Sequence, residues 1–226
     1  MGIVSPEGQI PPQRGSELAL ETLLLDPGGR HEAGDAAHDV LLFAFAGGGT
    51  LAGEPLGAGS AAFLLEGEQA GLVAGEAGLS LVRVTLGGAT DLHAPMGARE
   101  RIVGIESVEP GQATGSRSFQ LLFGPHNGCV RATMFVGYIP PGAAPWHYHL
   151  YDEIVWIWRG PGRYHVGDAV EPLEEGTSFR ITPREVHIVE NTSSDSELAV
   201  LGIFTPAGSP SAAYLMPGVA ATYVIS

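Results

Sequence analysis

The stretch Gly142-Ala-Ala-Pro-Trp-His147-Tyr-His149-Leu-Tyr-Asp-Glu153-Ile-Val-Trp-Ile-Trp-Arg-Gly160, followed after a short interval by Gly176-Thr-Ser-Phe-Arg-Ile-Thr-Pro183-Arg-Glu-Val-His187-Ile-Val-Glu-Asn191, decides how this chain is read. In an extended strand successive side chains point to opposite faces, so His147 and His149 project to one side. Glu153 joins them if the extended conformation continues. With His187 from the second segment, three imidazoles and a carboxylate form a cage for one divalent transition metal. These donors are intermediate to hard and suit Mn, Fe, Co, Ni or Zn, whereas a calcium site would be almost all oxygen. Four such ligands on an octahedral ion leave two positions for water, substrate or dioxygen. Unrelated surface or core histidines would not recur at these spacings, beside a carboxylate and framed by turn residues.

Composition narrows the rest. The 226 residues are 44% hydrophobic, enough for one large β domain or two of about 100 residues. The 33 glycines and 17 prolines are spread between apolar runs, which predicts many short strands joined by turns. Formal net charge is −14 and all 11 basic residues are arginine. An acidic surface repels phosphate backbones, so nucleic acid is not expected as a partner. Without lysine, Schiff-base catalysis is excluded. Cys129 is the only cysteine, so no intrachain disulfide forms. Met1 to Arg14 lacks the pattern of a secretory leader and no uncharged apolar run is long enough to span a bilayer, so a cytoplasmic protein without membrane contact is expected.

Apolar runs predict strands at Leu18 to Leu25, Val40 to Ala46, Ala61 to Leu65 and Leu79 to Leu86 in a first half, and at Cys129 to Ile139 and Leu198 to Phe204 in a second. The second of these runs ends in Gly47-Gly48-Gly49. The intervening region is less regular, with further strands proposed at Ile102 to Ile105 and Phe119 to Phe123. An internal repeat is visible. Leu20 to Gly28 resembles Met134 to Gly142, with Pro-Gly ends 114 residues apart, and Asp39 to Gly47 resembles Asp152 to Gly160, 113 apart. The chemistry is not repeated, since no first-half histidine falls where His147, His149 or His187 stands in the second. The expected organisation is an arm at 1–13, a first β unit without metal ligands at 14–95, a connection at 96–128, a metal-binding unit at 129–206 and a tail at 207–226.

Gly-x4-His-x-His-x3-Glu-x6-Gly followed by Gly-x6-Pro-x3-His-x3-Asn resembles the paired motifs of the cupin superfamily. With the repeat, the chain resembles a bicupin whose N-terminal barrel has lost its ligands. The resemblance implies an all-β fold of two double-stranded, jelly-roll-like β-barrels, with His147, His149, Glu153 and His187 holding the metal near an open end of the second. Asn191 would close the second motif structurally.

Around that centre, Val155 and Ile157 share the parity of Glu153 and would line the barrel, while Trp156 and Trp158 point away and pack on another part of the fold. Phe179 and Arg180 must face opposite ways. An inward Arg180 would hold a substrate carboxylate or enolate, and an outward one would be a solvated surface arginine. Tyr138, Trp146, Tyr148 and Tyr151 flank the motif. The substrate pocket is therefore assigned to Val155, Ile157, Phe179 and Arg180. The expected function is a metal-dependent enzyme on a small, oxygen-rich, metal-chelating substrate, with dioxygenase chemistry first. Isomerase, lyase or decarboxylase chemistry needs the same ligands, and a non-catalytic small-ligand-binding cupin is the rival class. A homodimer is expected from the arm and the apolar tail.

Overall fold

The computed structural model describes residues 4–13, 18–87, 93–113, 115–212 and 214–215. Among the described residues, twenty strands and two short 3-10 turns make an all-β structure in three sheets. The first sheet runs in the order Leu18–Leu25, Gly71–Leu86, Asp39–Leu51, Ser60–Leu64 and Ile102–Gly104, with Arg30–Glu32 and Glu54–Gly57 attached to the far ends of its two long strands. The second follows the order Thr133–Ile139, Leu198–Thr205, Asp152–Arg159 and Ser178–Ile181. The third contains Ala169–Leu173, Gly162–Val166, His187–Asn191, His147–Tyr148 and Tyr214–Leu215.

Alternation explains how these sheets stack. On Asp39–Leu51, Leu41 and Phe43 join a core shared with the second half, whereas Val40, Leu42 and Ala44 face a separate core inside the first half. On Asp152–Arg159, Ile154, Trp156 and Trp158 face the shared core, and Val155 and Ile157 the interior of the second half. Both strands are buried on both faces, which is why they read as near-continuous apolar runs. The tryptophans pack as their parity predicts: Trp156 lies 4.9 Å from Phe45 and Trp158 meets Phe43 edge-on at 5.0 Å.

The strand expected at Val40 to Ala46 does not stop at the glycines: Asp39–Leu51 runs through Gly47-Gly48-Gly49 with register shifts at Ala44/Ala46 and Gly47/Gly49. A side chain on Gly47, at φ +71°, would press its Cβ to 2.3 Å from Gly78 O, so glycine allows the strand to bend against its neighbour. The two strands proposed within the connecting region form, Ile102–Gly104 pairing with Ser60–Leu64 and Ser118–Phe123 with Thr133–Ile139. The N-terminal segment packs on the body at two places: Val4–Ser5 pairs with Ser178–Ile181, and Ile10 bridges Leu20. The last apolar segment of the sequence, Tyr223 to Ile225, lies outside the described residues. No helix among them is long and apolar enough to cross a membrane.

Candidate metal site and its cavity

His147 and His187 are cross-strand partners in the third sheet, with ring centroids 4.4 Å apart. His149 follows immediately, its ring 5.1 Å from that of His187. Glu153 does not reach the same place by strand alternation. The chain leaves the extended conformation at Leu150 and Tyr151 and re-enters a strand at Asp152 in the second sheet. The four side chains therefore meet across two facing sheets. Glu153 Oε2 lies 3.0 Å from His149 Nε2. All four are buried, with exposures of 2–7%.

The orientation of the rings fits a metal. His147 Nδ1 is 2.9 Å from Pro145 O, His149 Nδ1 is 3.0 Å from Tyr151 O, and His187 Nδ1 is 2.9 Å from Glu185 O. A carbonyl only accepts, so each Nδ1 carries the proton and each Nε2 keeps its lone pair, which is the arrangement of metal-ligating histidines. His149 Nε2 is buried without a hydrogen bond, because its approach to Glu153 lacks hydrogen-bond geometry. A buried acceptor left so is costly unless something further fills the place. Burial pulls the His147 imidazole down to about 3, helped by the neighbouring His187 and Arg117, and that of His187 to about 4. Both are neutral at pH 7, as ligation requires. Among the described residues, no three His, Cys, Asp or Glu side chains are drawn in around an ion-sized point. The fit lies in donor chemistry and ring orientation.

These residues line one end of a cavity of about 90 Å³. At roughly 10–15 Å³ for each water-sized group, it has room for a small ligand. Of the residues expected to line it, Val155 does. Ile157 and Phe179 are instead buried in the packed core beyond it, Phe179 packing at a tilt against Tyr164 with ring centroids 4.3 Å apart. Arg180 turns to the opposite face, yet is not solvated. Its guanidinium donates to Asp152 Oδ2 at 2.9 Å and to the main-chain oxygen of Leu18 at 2.6 Å, joining the two halves.

The cation on the cavity wall is Arg117, which the sequence reading left in the connecting region. Its charge acts on Tyr151, Glu153 and His147; burial lowers its pKa, and Tyr151 and Glu153 raise it. Strand parity groups Arg117 with Phe119 on one face, and both line the cavity, but parity alone does not say which face turns inward. Phe135 and Tyr151 complete an aromatic wall. Tyr151 stacks on His149 at 4.0 Å and on Phe204 at 3.9 Å, and Phe204 meets Phe135 at 6.0 Å.

Residues 134–204 match the Cupin domain family. The matched segment holds all four candidate ligands. Solved structures with the same fold include a serine-to-alanine variant of Bacillus subtilis oxalate decarboxylase, 15% identical with a TM-score of 0.72, the match covering 89% of this chain and 72% of that one. A glutamate-to-alanine variant of that enzyme is 16% identical with a TM-score of 0.71 over the same 89% and 72%. A third structure of it, described for its Mn(II) centers, is 15% identical with a TM-score of 0.70, again over 89% and 72%. At these identities the likeness is one of fold: this chain has the cupin fold. No curated protein matches it in sequence.

Proposed function

We propose that the second half is a metal-dependent active centre acting on a small carboxylate, with decarboxylation as the first-choice reaction and metal-assisted lyase or isomerase chemistry as its near variants. The observation that carries this reading is the pairing of three Nδ1-bonded imidazoles and Glu153 with the guanidinium of Arg117 in one small cavity. His147, His149, Glu153 and His187 would hold the ion, for which Mn(II) is the first candidate and Fe, Co, Ni or Zn the others. A bound divalent ion would supply Lewis acidity toward a carboxylate and an adjacent oxygen.

The protein's own groups do the rest. Arg117 would take the substrate carboxylate in a bidentate, charge-assisted contact. Tyr151 keeps its proton, because burial first and the charge of Glu153 second push its pKa well above the usual phenol value, so it can donate but not act as base. The aromatic and aliphatic walls exclude water and strengthen the charge interactions inside.

Oxygen insertion, the first expectation from the ligand set alone, requires the same ion but draws no support from the structural relatives, which are named as decarboxylases. The first half is proposed to be a duplicated unit without the chemistry. Three observations support this. The strand order Leu18–Leu25, Gly71–Leu86, Asp39–Leu51, Ser60–Leu64 parallels Thr133–Ile139, Leu198–Thr205, Asp152–Arg159, Ser178–Ile181. The register shifts at Ala44/Ala46 and Ile157/Arg159 stand at the same spacing as the sequence repeat. The described first-half core is filled by alanine, leucine and valine. In this reading units 14–95 and 129–206 exchange material through the arm and the 96–128 segment. The expected homodimer is carried with it, and light scattering at micromolar concentration decides that point.

Metal analysis of protein purified without added metal should find close to one transition metal ion per chain, lost in His147→Ala and His187→Ala; retention by both variants removes the ligand assignment. The metal-loaded protein is then incubated with small carboxylic acids while carbon dioxide release and oxygen uptake are followed together. Carbon dioxide without oxygen uptake supports the proposal. Stoichiometric oxygen uptake with both atoms in the product would replace it with the dioxygenase reading, and tight binding without turnover with a ligand-holding role.

A further inference from the structure

Between the two halves, beside the N-terminal segment, lies an open cavity of about 270 Å³. At roughly 10–15 Å³ for each water-sized group, it has room for a small organic molecule. Phe45 of the first half and Trp156 and Trp158 of the second form its aromatic wall, and Glu7 and Glu175 stand exposed at its edge. Among the described residues, none that lines it also lines the metal cavity.

Two buried polar atoms on this side of the sheet lack hydrogen bonds. Trp156 is 3% exposed, yet its indole Nε1 has no acceptor, and the fully buried hydroxyl of Ser178 is likewise without a partner. The two residues are directly opposite on paired strands, so their side chains share a face. The indole nitrogen lies beneath Gly8, whose φ is +64°: a Cβ there would stand 3.3 Å from Nε1 and 2.8 Å from both Thr22 Oγ1 and Gly176 O. Thr22 and Gly176 also line the cavity, which places Nε1 at its floor. Neither neighbour satisfies the indole, and Thr22 Oγ1 donates instead to Gly8 O at 3.3 Å. A buried N–H without an acceptor is costly, and an oxygen brought by a ligand would relieve it.

The rest of the wall sets the charge of that ligand. No basic side chain is among the described residues that line the cavity, whereas Glu7 and Glu175 bring two carboxylates to it. The guanidinium of Arg159 is held over the Trp158 ring, 4.1 Å from its centroid, and does not line the cavity. Carboxylates beside aromatic carbon repel an anion and favour a cation that carries its own hydrocarbon. A neutral sugar could donate to the same carboxylates, but it would leave their charge unmatched.

We infer that this cavity binds a small organic ammonium ion bearing a hydroxyl, an amino alcohol. Its cationic head meets Glu7 and Glu175, its alkyl groups lie against Phe45 and the tryptophans, and its oxygen accepts from Trp156 Nε1. The site is independent of the metal-carboxylate reading.

The test titrates the full-length protein calorimetrically with choline, with neohexanol, in which carbon replaces the nitrogen of choline, with tetramethylammonium and with glucose. Choline should bind saturably, and neohexanol on the order of tenfold more weakly, since it keeps the shape and loses the charge. Tetramethylammonium lacks the oxygen and should fall about threefold or more below choline, a gap that Trp156→Phe should close by removing Nε1 while keeping a ring. Glu7→Gln and Glu175→Gln, both at exposed positions, should weaken choline by about threefold each and about tenfold together. Circular dichroism and metal content, measured on every sample, should not change; if Trp156→Phe fails to fold, the glutamate variants carry the test. The inference is overturned by no saturable binding of choline, by neohexanol binding as tightly, by glucose binding more tightly, or by an affinity unmoved in the Glu7→Gln/Glu175→Gln double variant. A choline advantage over tetramethylammonium that survives in folded Trp156→Phe overturns it as well.

Discussion

His147 and His187 face each other across a strand pair, and their burial holds them at about 3 and about 4, far below the ordinary imidazole value of 6.5. The folded chain therefore resists protons that the unfolded chain accepts. The sign follows: with folded values below the unfolded one, the metal-free fold has its full stability above about pH 6.5 and loses it as pH falls toward 3–4, by up to about 1.4 kcal/mol per pH unit for each histidine. Urea unfolding of chelator-treated protein should show stability lower by roughly 2–4 kcal/mol at pH 5 than at pH 7.5, with much of the slope removed in a His147→Gln/His187→Gln double variant. Equal stability of the wild type at both values would contradict the burial argument. Both were singled out in the sequence because the spacing within each motif is local, although their meeting across a strand pair is not. Arg117 was not, because its approach to Glu153 depends on which strand follows it and which sheet that strand joins.

Between Ser178–Ile181 and His187–Asn191, one loop fixes two of the candidate ligands. The Glu185 carboxylate accepts from Tyr164 Oη at 2.7 Å and from Thr182 Oγ1 at 2.9 Å, while its main-chain oxygen accepts from His187 Nδ1 at 2.9 Å. The same loop donates Arg184 N to the main-chain oxygen of His149 at 2.7 Å. Tyr164 is fully buried, so its hydroxyl has no water to turn to. Tyr164→Phe deletes one hydrogen bond to a carboxylate and should lower stability by about 1.5–3 kcal/mol. Metal affinity should fall by roughly 10–100-fold, the usual effect of loosening a ligand's supporting contact. Competition with a chromogenic chelator measures it, and an unchanged affinity would show that the loop holds its shape without this bond. Parity placed Val155 on the cavity wall and sent Trp156 and Trp158 outward, since alternation is a property of the strand itself. It could not choose between Phe179 and Arg180, whose faces are set by the partner strand: the register Val155 to Phe179 puts Phe179 inside.

Residues of both halves share the largest core cluster, and Val4–Ser5 from the N-terminal segment adds a strand to the edge of the second-half sheet. Arg180 is the polar fastening of that contact. Its side chain is 8% exposed and that of Asp152 10%, and burial lowers the guanidinium pKa while Asp152 raises it. Removing one member of a buried pair takes away its stabilisation of the other charge, so Arg180→Ala should cost on the order of 3–5 kcal/mol in denaturant unfolding. Metal content should stay at the wild-type level, because the guanidinium turns away from the cavity. A variant that lost the metal but kept its stability would reverse this assignment and return Arg180 to the site.

By itself the sequence determined the all-β class and most of the strands, and it named the four candidate ligands and the proposed repeat of about 113 residues. Each depends on spacing along the chain or on strand alternation, which are local. Only the tertiary structure decided that Glu153 reaches the histidines from a facing sheet, that the Gly47 to Gly49 run bends a strand, and that Arg117 is the cavity's cation while Arg180 joins the halves. Those outcomes depend on which sheets face one another, and strand periodicity carries no information about that.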